Sequence, residues 1–420
     1  MSVIDDLISR LCPEGVEHRP LSELARTVPG LRGKTKADFS GGTARFVSYK
    51  NVYNNPAVDQ TAQDFVTLRA DENQNELHVG DVLVTGSSEN IDDVGMSSVV
   101  VTEPAEPLYL NSFCFGLRFS DPGQLVPEFS KHLFRSEAVR AQIRRSAQGV
   151  TRINISKARF MKVRIPLPPI EVQREIARVL EQLTELNAEL ATELRNELAE
   201  RRRQYDHFRA ALLTFEDDDN AVRRVALGDI GELVRGNGMP KTSFTETGVG
   251  AIHYGQIYTY FGTSTKETIA FVAPETAERL RKVDPGDVII TNTSENLEDV
   301  GKAVAWLGDE EIVTGGHATI LKHDQDPRFV AHWFQSPSFQ RQKKRLATGT
   351  KVMDVSAKQL AKVEIPLPDI EAQREIVQVL ERLHELETEL ETELRTELRE
   401  RDRQLGYHVD KLLSFEEVVA

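Results

Sequence analysis

A long segment of this chain occurs twice. Residues 162–216 and 362–416 align without a gap, with 34 of 55 positions identical, which indicates a duplicated structural unit. Both copies contain the sequence IPLP, and a proline disfavours the helical conformation in the residue before it. A helix is therefore expected to begin near Ile170 and to run to about Leu213, a length of roughly 65 Å at ~1.5 Å per residue. In the second copy, Asp369 is expected to cap the corresponding helix.

The apolar residues of each predicted helix form two lines. One line follows the four- and three-residue spacing of a coiled coil and is interrupted at Asn187, or at Glu387 in the second copy, whereas the other steps by four residues. Ordinary packing of the two helices as an intramolecular antiparallel pair explains most of this pattern. The surface is wider than a two-stranded seam requires, so the surplus face is interpreted as a docking surface for another protein. The residues predicted to contact that partner are Leu186, Leu190, Leu198, Leu386, Leu390 and Leu398.

The remaining chain repeats more faintly. FVSYKNVY ending at Tyr53 matches AIHYGQIY ending at Tyr258, and Gly-Asp-Val runs begin at Gly80 and Gly286. The Val-, Thr- and aromatic-rich runs ARFVSYKNVY, GDVLVTG, SSVVVT and LYLNSFCFGLRF predict strands, while residues 2–11 and 127–145 predict helices.

The predicted fold class is α+β. Two mixed α/β domains are separated by two long antiparallel coiled-coil helices in an internal two-fold repeat. The predicted boundaries are 1–160 for an N-terminal helix and the first mixed domain, 161–216 for the first long helix, 217–361 for the second mixed domain and 362–420 for the second long helix. An acidic break is expected at 216–220, just before the second mixed domain.

Charge is distributed unevenly along the chain. The net charge is −14, yet residues 171–219 hold 13 acidic against 7 basic residues and residues 371–417 hold 14 against 7, which accounts for nearly all of it. Just before each helix, residues 131–164 hold ten basic residues against one acidic, and residues 328–362 hold eight against one. Paired basic patches in an acidic chain predict contact with phosphates, although a solvated basic face is the simpler explanation for either patch alone.

Two sets of residues are candidates for DNA contact. Cations at basic helix ends and in glycine-containing loops suit phosphates. The predicted phosphate contacts are Arg144, Arg145, Arg152, Lys343, Lys344, Arg345 and Lys351. Base edges require bidentate donors or acceptors. The candidates for that role are Lys50, Asn51, Asn90, Gln148, His253, Gln256 and Asn296, with ordinary turn chemistry as the alternative for each. The triplet Ser-Glu-Asn is identical at 88–90 and 294–296, which favours a structural role over sequence reading.

No catalytic or metal-binding motif emerges from the sequence. GLRGKT at 30–35 has two residues between its glycines, where a phosphate-binding loop has four. No glycine-rich turn for S-adenosylmethionine, helicase motif or nuclease-like acid cluster stands out. Cys12 and Cys114 lack the companions that a disulfide framework or metal site needs. Without a membrane-length apolar run or a secretory signal, the chain is predicted to be cytoplasmic.

The domain–helix order and the repeated helix entry resemble the DNA specificity subunit of type I restriction–modification systems. The resemblance covers essentially the whole chain and is most specific at 165–176 and 365–376, where both copies read IPLP-(P/D)-I-E-x-Q-R-E-I. It implies that each mixed domain is a target-recognition domain reading one half of a bipartite, asymmetric DNA sequence. It also implies a non-catalytic chain that directs adenine methylation and DNA cleavage by other subunits.

The same resemblance implies a set of partners. These are double-stranded DNA, two DNA adenine methyltransferase subunits on the long helices, and restriction/translocase subunits, with no membrane. S-adenosylmethionine, ATP and Mg²⁺ are expected on the partner subunits and no cofactor on this chain. The alternative is a coiled-coil scaffold or interaction protein without sequence-specific DNA binding, which would explain the helices but not the paired basic patches.

Overall fold

Two helices of 43 residues each frame the protein, Ile170–Leu212 and Ile370–Leu412, named here the first and second long helix. The computed structural model describes residues 3–69, 71–215, 222–349 and 351–418. The helix start expected from the prolines is confirmed at Ile170. The expected cap is confirmed too, since the Asp369 carboxylate accepts a hydrogen bond from the Ala372 amide at 2.9 Å. The acidic segment 216–220 lies outside the described residues.

The chain divides into two compact units. The first extends to Leu194 and resumes at Thr396, and the second is Arg195–Arg395. In the first unit, Asn187 Nδ2 donates to Asp402 Oδ1 at 3.0 Å. In the second, the Arg202 guanidinium donates to Glu391 at 2.7 Å. Early residues of one long helix thus contact late residues of the other, so the pair is antiparallel within each unit.

In the described part of the first unit, the mixed domain contains four small sheets. A four-stranded antiparallel sheet has the order Ala25–Pro29, Cys114–Phe119, Val82–Thr85, Ser97–Val99. The other sheets are Phe65–Val66 with Ala44–Val47 and Leu108–Leu110, Ala147–Gln148 with Ile153–Ile155 and Ser87–Ser88, and His18–Pro20 with Arg164–Pro166. The helices are Val3–Leu11, Leu21–Leu24, Tyr49–Asn54, Pro127–Leu133, Glu137–Ser146 and Lys157–Phe160, with a 3₁₀ turn at Lys36–Phe39.

The mixed domain of the second unit has the same plan with larger sheets. One five-stranded sheet has the order Gly231–Arg235, Ala318–His323, Val288–Thr291, Ala303–Trp306, Ser264–Thr265. The other is Phe244–Thr245, Ala270–Val272, Val249–Ile252, Ile312–Thr314, Arg281–Val283. Two strand pairs join Thr293–Ser294 to Met353–Asp354 and Arg223–Ala226 to Glu364–Leu367. The helices are Leu227–Ile230, Tyr254–Thr259, Pro274–Ala277, Pro327–Trp333, Pro337–Leu346 and Ala357–Leu360, with a 3₁₀ turn at Lys241–Ser243.

Two sequence predictions need correction. The helix predicted at 127–145 is two helices, because the chain turns between Leu133 and Glu137. At that turn the half-buried Arg135 guanidinium donates to the carbonyls of Ser97 at 2.8 Å and Tyr53 at 2.9 Å, which a continuous helix could not allow. The run ARFVSYKNVY is strand only over its first half, since Tyr49–Asn54 is helical.

A repeated glutamine fastens each mixed domain to the start of a long helix. Gln173 is buried, its Oε1 accepts from the Val126 amide at 2.8 Å, and its Nε2 donates to the carbonyls of Gln124 and Pro168 at 3.0 and 2.8 Å. Gln373 repeats two of these contacts, accepting from the Asp326 amide and donating to Pro368. The glutamine of the repeated helix entry is therefore a structural clamp, which explains why both copies carry it.

The hydrophobic core of each unit includes both long helices. In the first unit, Ile176 and Leu180 from the first long helix and Leu413, just after the second, are buried in the core of the mixed domain. In the second unit, Leu380 and Leu213 occupy the places that correspond to Leu180 and Leu413. Each mixed domain is thereby held on two helix ends at once, which fixes the orientation of the loops described next.

Candidate nucleic-acid interface

An open groove of about 660 Å³ lies on the mixed domain of the first unit. Its walls come from the helix Tyr49–Asn54, the loop that carries the Ser-Glu-Asn triplet, the turn before strand Cys114–Phe119, and the tip of the hairpin Ala147–Ile155. Its lining includes Tyr49, Tyr53, Ser88, Asp93, Phe113 and Arg152. The groove combines aromatic faces, hydrogen-bonding groups, one cation and the carboxylates of Glu89 and Asp93, a composition suited to base edges.

The aromatic wall of the groove is held in place by hydrogen bonds. The rings of Tyr49 and Tyr53 stack with centroids 6.3 Å apart, and the Tyr49 hydroxyl donates to the Ser87 carbonyl at 2.8 Å. The Asp93 carboxylate, which accepts a hydrogen bond from the Tyr53 hydroxyl, raises the pKa of that phenol. Burial raises the pKa of Tyr49. Both phenols therefore stay protonated at neutral pH, and their O–H groups remain committed to Ser87 and Asp93.

The loop with the Ser-Glu-Asn triplet is clamped from the basic helix behind it. Buried Arg140 donates to the carbonyls of Val94 at 2.9 Å and Asp92 at 2.6 Å. In the second unit the clamp is Lys343, whose Nζ donates to the carbonyl of Glu298 at 3.0 Å. Glu298 stands where Asp92 stands in the first triplet loop. In both units a cationic side chain thus donates hydrogen bonds to carbonyl oxygens of the triplet loop. The two cations occupy different positions along their helices.

The triplet asparagines make hydrogen bonds inside their own loops. Asn90 Oδ1 accepts from the Asp92 amide at 3.0 Å, and Asn296 Oδ1 accepts from the Asp299 amide at 2.8 Å. Asn296 Nδ2 also donates to the Asp299 carboxylate at 2.8 Å. These local contacts agree with the structural role that the shared triplet favours.

The hairpin tip is the most exposed part of the groove. Ala147 pairs with Ile155, and Gly149 adopts a φ of 113° at the turn, where a Cβ atom would overlap the carbonyl oxygen of Arg152. Only glycine fits such a position without strain. The turn presents Val150, 92% exposed, to solvent. Gly349 has a φ of 115° at the equivalent turn of the second unit, which exposes Lys351 and Val352.

Most of the cations predicted to contact phosphates are exposed. Arg145, Arg152, Lys344, Arg345 and Lys351 all lie on the surface. Arg152 also donates to the Ser87 hydroxyl at 3.2 Å. Exposed guanidinium and ammonium groups in both mixed domains are accessible to phosphates, and the phosphate contacts of the two basic patches stay a prediction.

Two predicted phosphate contacts are already engaged by the protein. Arg144 forms an ion pair with Glu137. For Lys343 the prediction is wrong, because the side chain is 1% exposed and its Nζ lies 5.8 Å from the centre of the Phe339 ring. Phe339 and Lys343 are four residues apart and therefore share the buried face of their helix. Burial lowers the pKa of Lys343 to about 8.

Among the predicted base contacts, Lys50 and Gln148 are exposed, whereas Asn51 is not available. Asn51 is buried, its Nδ2 donates to the Asp59 carbonyl at 2.8 Å, and its Oδ1 accepts from the Asp59 amide at 3.1 Å. The prediction for Asn51 is corrected, since both ends of its amide fasten the loop after the helix.

His253 and Gln256 form a reciprocal helix cap, which corrects their predicted role. Buried His253 accepts from the Gly255 amide through Nδ1 at 3.2 Å, and Gln256 Oε1 accepts from the His253 amide at 2.8 Å. Burial, with smaller effects from Lys241 and His317, lowers the pKa of His253, so the ring stays neutral. Neutral His253 can accept the capping hydrogen bond, and its role is structural.

Sequence reasoning missed the aromatic part of the groove. Tyr49, Tyr53 and the 60%-exposed Phe113 line it, and none was a candidate. Two signals were present in the sequence. The tyrosines recur at matching places in FVSYKNVY and AIHYGQIY, and Phe113 precedes a buried strand without belonging to it.

A second candidate surface lies on the long helices of the second unit. A groove of about 390 Å³ there is lined by the apolar side chains Tyr205, Phe208, Leu383, Leu386 and Leu390, with Glu389 and Glu393 among its charged neighbours. Leu386 is 47% exposed there, and Leu186 is 63% exposed in the first unit. The predicted partner contacts Leu190, Leu198, Leu390 and Leu398 are half-buried.

Metal and membrane sites were also sought in the described part of the chain. Within residues 3–69, 71–215, 222–349 and 351–418, no three His, Cys, Asp or Glu side chains are grouped to hold a metal ion. No described helix is long and apolar enough to cross a membrane.

Comparison with known proteins gives a matching family model and similar relatives. The family model for the type I restriction modification DNA specificity domain matches residues 13–200 and again residues 221–400. A Haemophilus influenzae protein named as the type I restriction enzyme specificity subunit S.HindORF215P is 26% identical over 275 residues, 64% of this chain and 68% of the relative. The EcoR124I/EcoR124II specificity subunit of Escherichia coli is 26% identical over 276 residues, 62% of this chain and 65% of the relative.

Two solved structures share the fold. One, described as the structural basis of complex assembly and conformational transition of the type I R-M system, has a TM-score of 0.69 and 20% identity, and the match covers 95% of this chain and 97% of that chain. The HsdS subunit of Thermoanaerobacter tengcongensis has a TM-score of 0.59 and 19% identity, with 96% and 97% covered. The mixed α/β architecture with two long helices is therefore that of known type I specificity structures.

Proposed function

The chain belongs to the type I restriction modification DNA specificity family, and from that membership we propose that each of its mixed domains reads one half of a bipartite DNA target. The chain is the non-catalytic specificity subunit, and residues 1–160 and 217–361 are the two reading domains. One observation carries the proposal. The family match falls once on each domain–helix repeat, which supports one reader in each repeat.

The groove on the first reader supports DNA contact at that place. The apolar side chain of Phe113 is exposed in the groove, and Val150 is exposed at the turn of the adjoining hairpin, from which Arg152 brings a cation to the groove. An exposed aromatic or aliphatic side chain beside a guanidinium suits contact with base edges and the thymine methyl group. Arg145 and Gln148 are proposed to contact phosphates or bases around this groove in the first unit. Lys344, Arg345 and Lys351 are proposed to do the same on the second reader. The coiled-coil scaffold alternative is not favoured, because it leaves these exposed cations unexplained.

Methylation mapping tests the bipartite reading. The full chain, co-expressed with its partner methyltransferase, is expected to place methyl groups at one split sequence with two unlike halves. Replacing the hairpin tip of the first reader alone should change one half and leave the other unaltered. A single continuous site, or changes in both halves, would contradict the assignment of one reader to each half.

We propose further that the long helices bind two methyltransferase subunits. The two units offer unequal surfaces for this. In the first unit, the N-terminal helix Val3–Leu11 buries Ile4 in the core, and its Ile8 borders a cleft with Val179 and Leu412. Among the described residues the second unit has no counterpart of that helix. There Val379, which corresponds to Val179, is 47% exposed.

The uncovered face of the second unit carries an apolar stripe with acidic neighbours. Val379 lies on the same long helix as Leu383 and Leu386, and Glu389 and Glu393 line the adjoining groove. A partner helix with an apolar stripe flanked by lysine or arginine would complement this face. The first long helix exposes Leu186, which supports a second, smaller contact in the first unit.

Co-purification measures these contacts. Leu386→Arg is expected to remove one methyltransferase subunit from the complex, and Leu186→Arg to weaken binding of the other. Ile269→Arg, an equally exposed position on the second reader, is the matched control and should leave two subunits bound. Two bound subunits in Leu386→Arg, measured by native mass spectrometry, would exclude the groove as a docking site.

The remaining partners follow from the family. Restriction/translocase subunits are proposed to join the methyltransferase complex, with S-adenosylmethionine, ATP and Mg²⁺ on those partners and the assembly acting on DNA in the cytoplasm. Activity reconstituted from separately purified subunits tests this division of labour. Binding of S-adenosylmethionine to this chain alone, detected by calorimetry, would contradict it.

A further inference from the structure

The groove of the first reader has a counterpart in the second reader. Strand pairing fixes the correspondence, because Ile153 pairs with Ser88 and Met353 pairs with Ser294. The turn before the central strand corresponds as well. The Gly86 amide donates to the Phe113 carbonyl at 2.8 Å, and the Asn292 amide donates to the His317 carbonyl at 2.8 Å. Each groove position of the first reader therefore has one defined partner in the second.

Most groove positions carry the same side chain in both readers. Tyr49 corresponds to Tyr254, Tyr53 to Tyr258 and Asp93 to Asp299, and the Ser-Glu-Asn triplet is shared. Contacts are shared too. The rings of Tyr254 and Tyr258 are 6.2 Å apart, and burial, with smaller effects from Tyr254 and Asp299, raises the pKa of Tyr258. These shared residues form a common framework that cannot distinguish the two half-sites.

Four groove positions differ between the readers. Ser87 is replaced by Thr293, which keeps the hydroxyl, and the other three change the chemical character of the side chain. Phe113 is replaced by His317, Thr151 by Lys351 and Arg152 by Val352. Each hairpin tip holds one cation and one smaller side chain, but their order is reversed along the chain. The cation follows Thr151 in the first reader and precedes Val352 in the second.

We propose that these three positions determine the base preference of each reader. The inference rests on the proposed DNA-reading function and names the residues that carry its specificity. Arg152 can donate two hydrogen bonds to the N7 and O6 atoms of guanine, and Phe113 can contact a thymine methyl group. In the second reader, Lys351 places its cation one residue earlier and Val352 offers an apolar contact in place of the guanidinium.

The environment of His317 differs from that of Phe113. His317 Nδ1 lies 3.0 Å from the Thr293 hydroxyl, and its ring centre lies 4.9 Å from that of Tyr254. The His317 imidazole is thus part of the wall of the corresponding groove in the second reader. Both side chains are exposed, Phe113 to 60%. The two readers accordingly offer different shapes as well as different donors at the same place.

A reciprocal exchange tests the proposal. The triple variant Phe113→His, Thr151→Lys, Arg152→Val carries the residues of the second reader on the framework of the first. In the full chain with its partner methyltransferase, methylation mapping should show a changed base preference in the half-site of the first reader alone. The single variant Arg152→Val, at an exposed position, should lower the preference for one guanine by about five- to 150-fold.

Controls separate the possible outcomes. Arg69→Val removes the same charge at another exposed position of the first unit and should leave the base preference unaltered. A triple variant that methylates with the wild-type sequence preference overturns the inference while the proposed function stands. If the wild-type complex methylates no DNA at all, that result would instead contradict the proposed function. If the triple variant does not fold, Arg152→Val and Arg152→Lys decide, and an unchanged guanine preference in Arg152→Val refutes the inference.

Discussion

Replacing Lys343 with methionine tests whether this residue supports the fold or binds DNA. The side chain is 1% exposed, its Nζ donates to the Glu298 carbonyl, and burial lowers its pKa from 10.5 to about 8. Below pH 8 the folded protein holds a buried charge. Between pH 8 and 10.5 the unfolded chain retains the proton that the folded state has lost, so stability rises with pH.

The size of the effect follows from the pKa difference. At about 1.4 kcal/mol per pKa unit, the buried charge costs about 3 kcal/mol at pH 7. Methionine has a similar length and no charge, but it leaves the Glu298 carbonyl without its donor, a loss of about 1–3 kcal/mol. Lys343→Met should therefore be equal to or up to about 2 kcal/mol more stable than the wild type at pH 7. By pH 10.5 it should be the less stable of the two by about 1–3 kcal/mol.

Tryptophan fluorescence provides the assay. Trp306 and Trp333 are the two tryptophans of the chain, and both are buried in the second unit with Lys343. Urea unfolding of the full chain at pH 7, 9 and 10.5, followed by this signal, reports on that unit. The reasoning would be refuted if the difference in the free energy of unfolding between wild type and Lys343→Met stayed constant across this pH range. The salt dependence of DNA binding at pH 7 should be the same for both.

Three further predictions concern the reader loops and the clamps. Lys344→Ala should reduce the slope of log K against log salt by about 0.9 if that exposed cation contacts a phosphate, and an unchanged slope in filter binding would exclude it. Gly149→Ala should destabilise the first unit by more than about 1 kcal/mol because Gly149 has a left-handed backbone conformation. Gly406 lies in open space within the second long helix, so Gly406→Ala should stabilise the chain by about 0.5–1 kcal/mol. Calorimetry measures both changes. Gln373→Ala should cost about 2–3 kcal/mol and shift the tryptophan transition, whereas Gln173→Ala should destabilise the first unit and leave that transition in place.

The long helices were predictable because their signals are local. Prolines forbid helix up to residue 169, helix-forming residues run without interruption beyond it, and the repeat shows the same pattern twice. The interrupted apolar line also carried information. Asn187 meets Asp402, and Glu387 meets Arg202 at 3.9 Å, so both interruptions are polar contacts between the helices.

The individual contact residues were harder to predict because they depend on burial. Lys343 and Lys344 are adjacent and chemically alike, yet one is enclosed beside Phe339 and the other is exposed. His253 and Asn51 looked like base-reading groups, and both complete hydrogen bonds of their own backbone instead. By residue type alone, a polar side chain at a helix start can cap the helix or contact DNA equally well. Only the groups that surround it in the folded structure decide between these two roles.

By itself the sequence determined the two-fold repeat, the positions of the long helices, the fold class and the family, because these depend on periodicity, proline placement and matching residues along the chain. The tertiary structure decided which polar groups face the solvent. Segments more than 60 residues apart, such as Tyr49 and Phe113, meet in one groove only when the sheets assemble. Burial is a property of that assembly, and it separates Arg152 at the groove from Arg140 behind it.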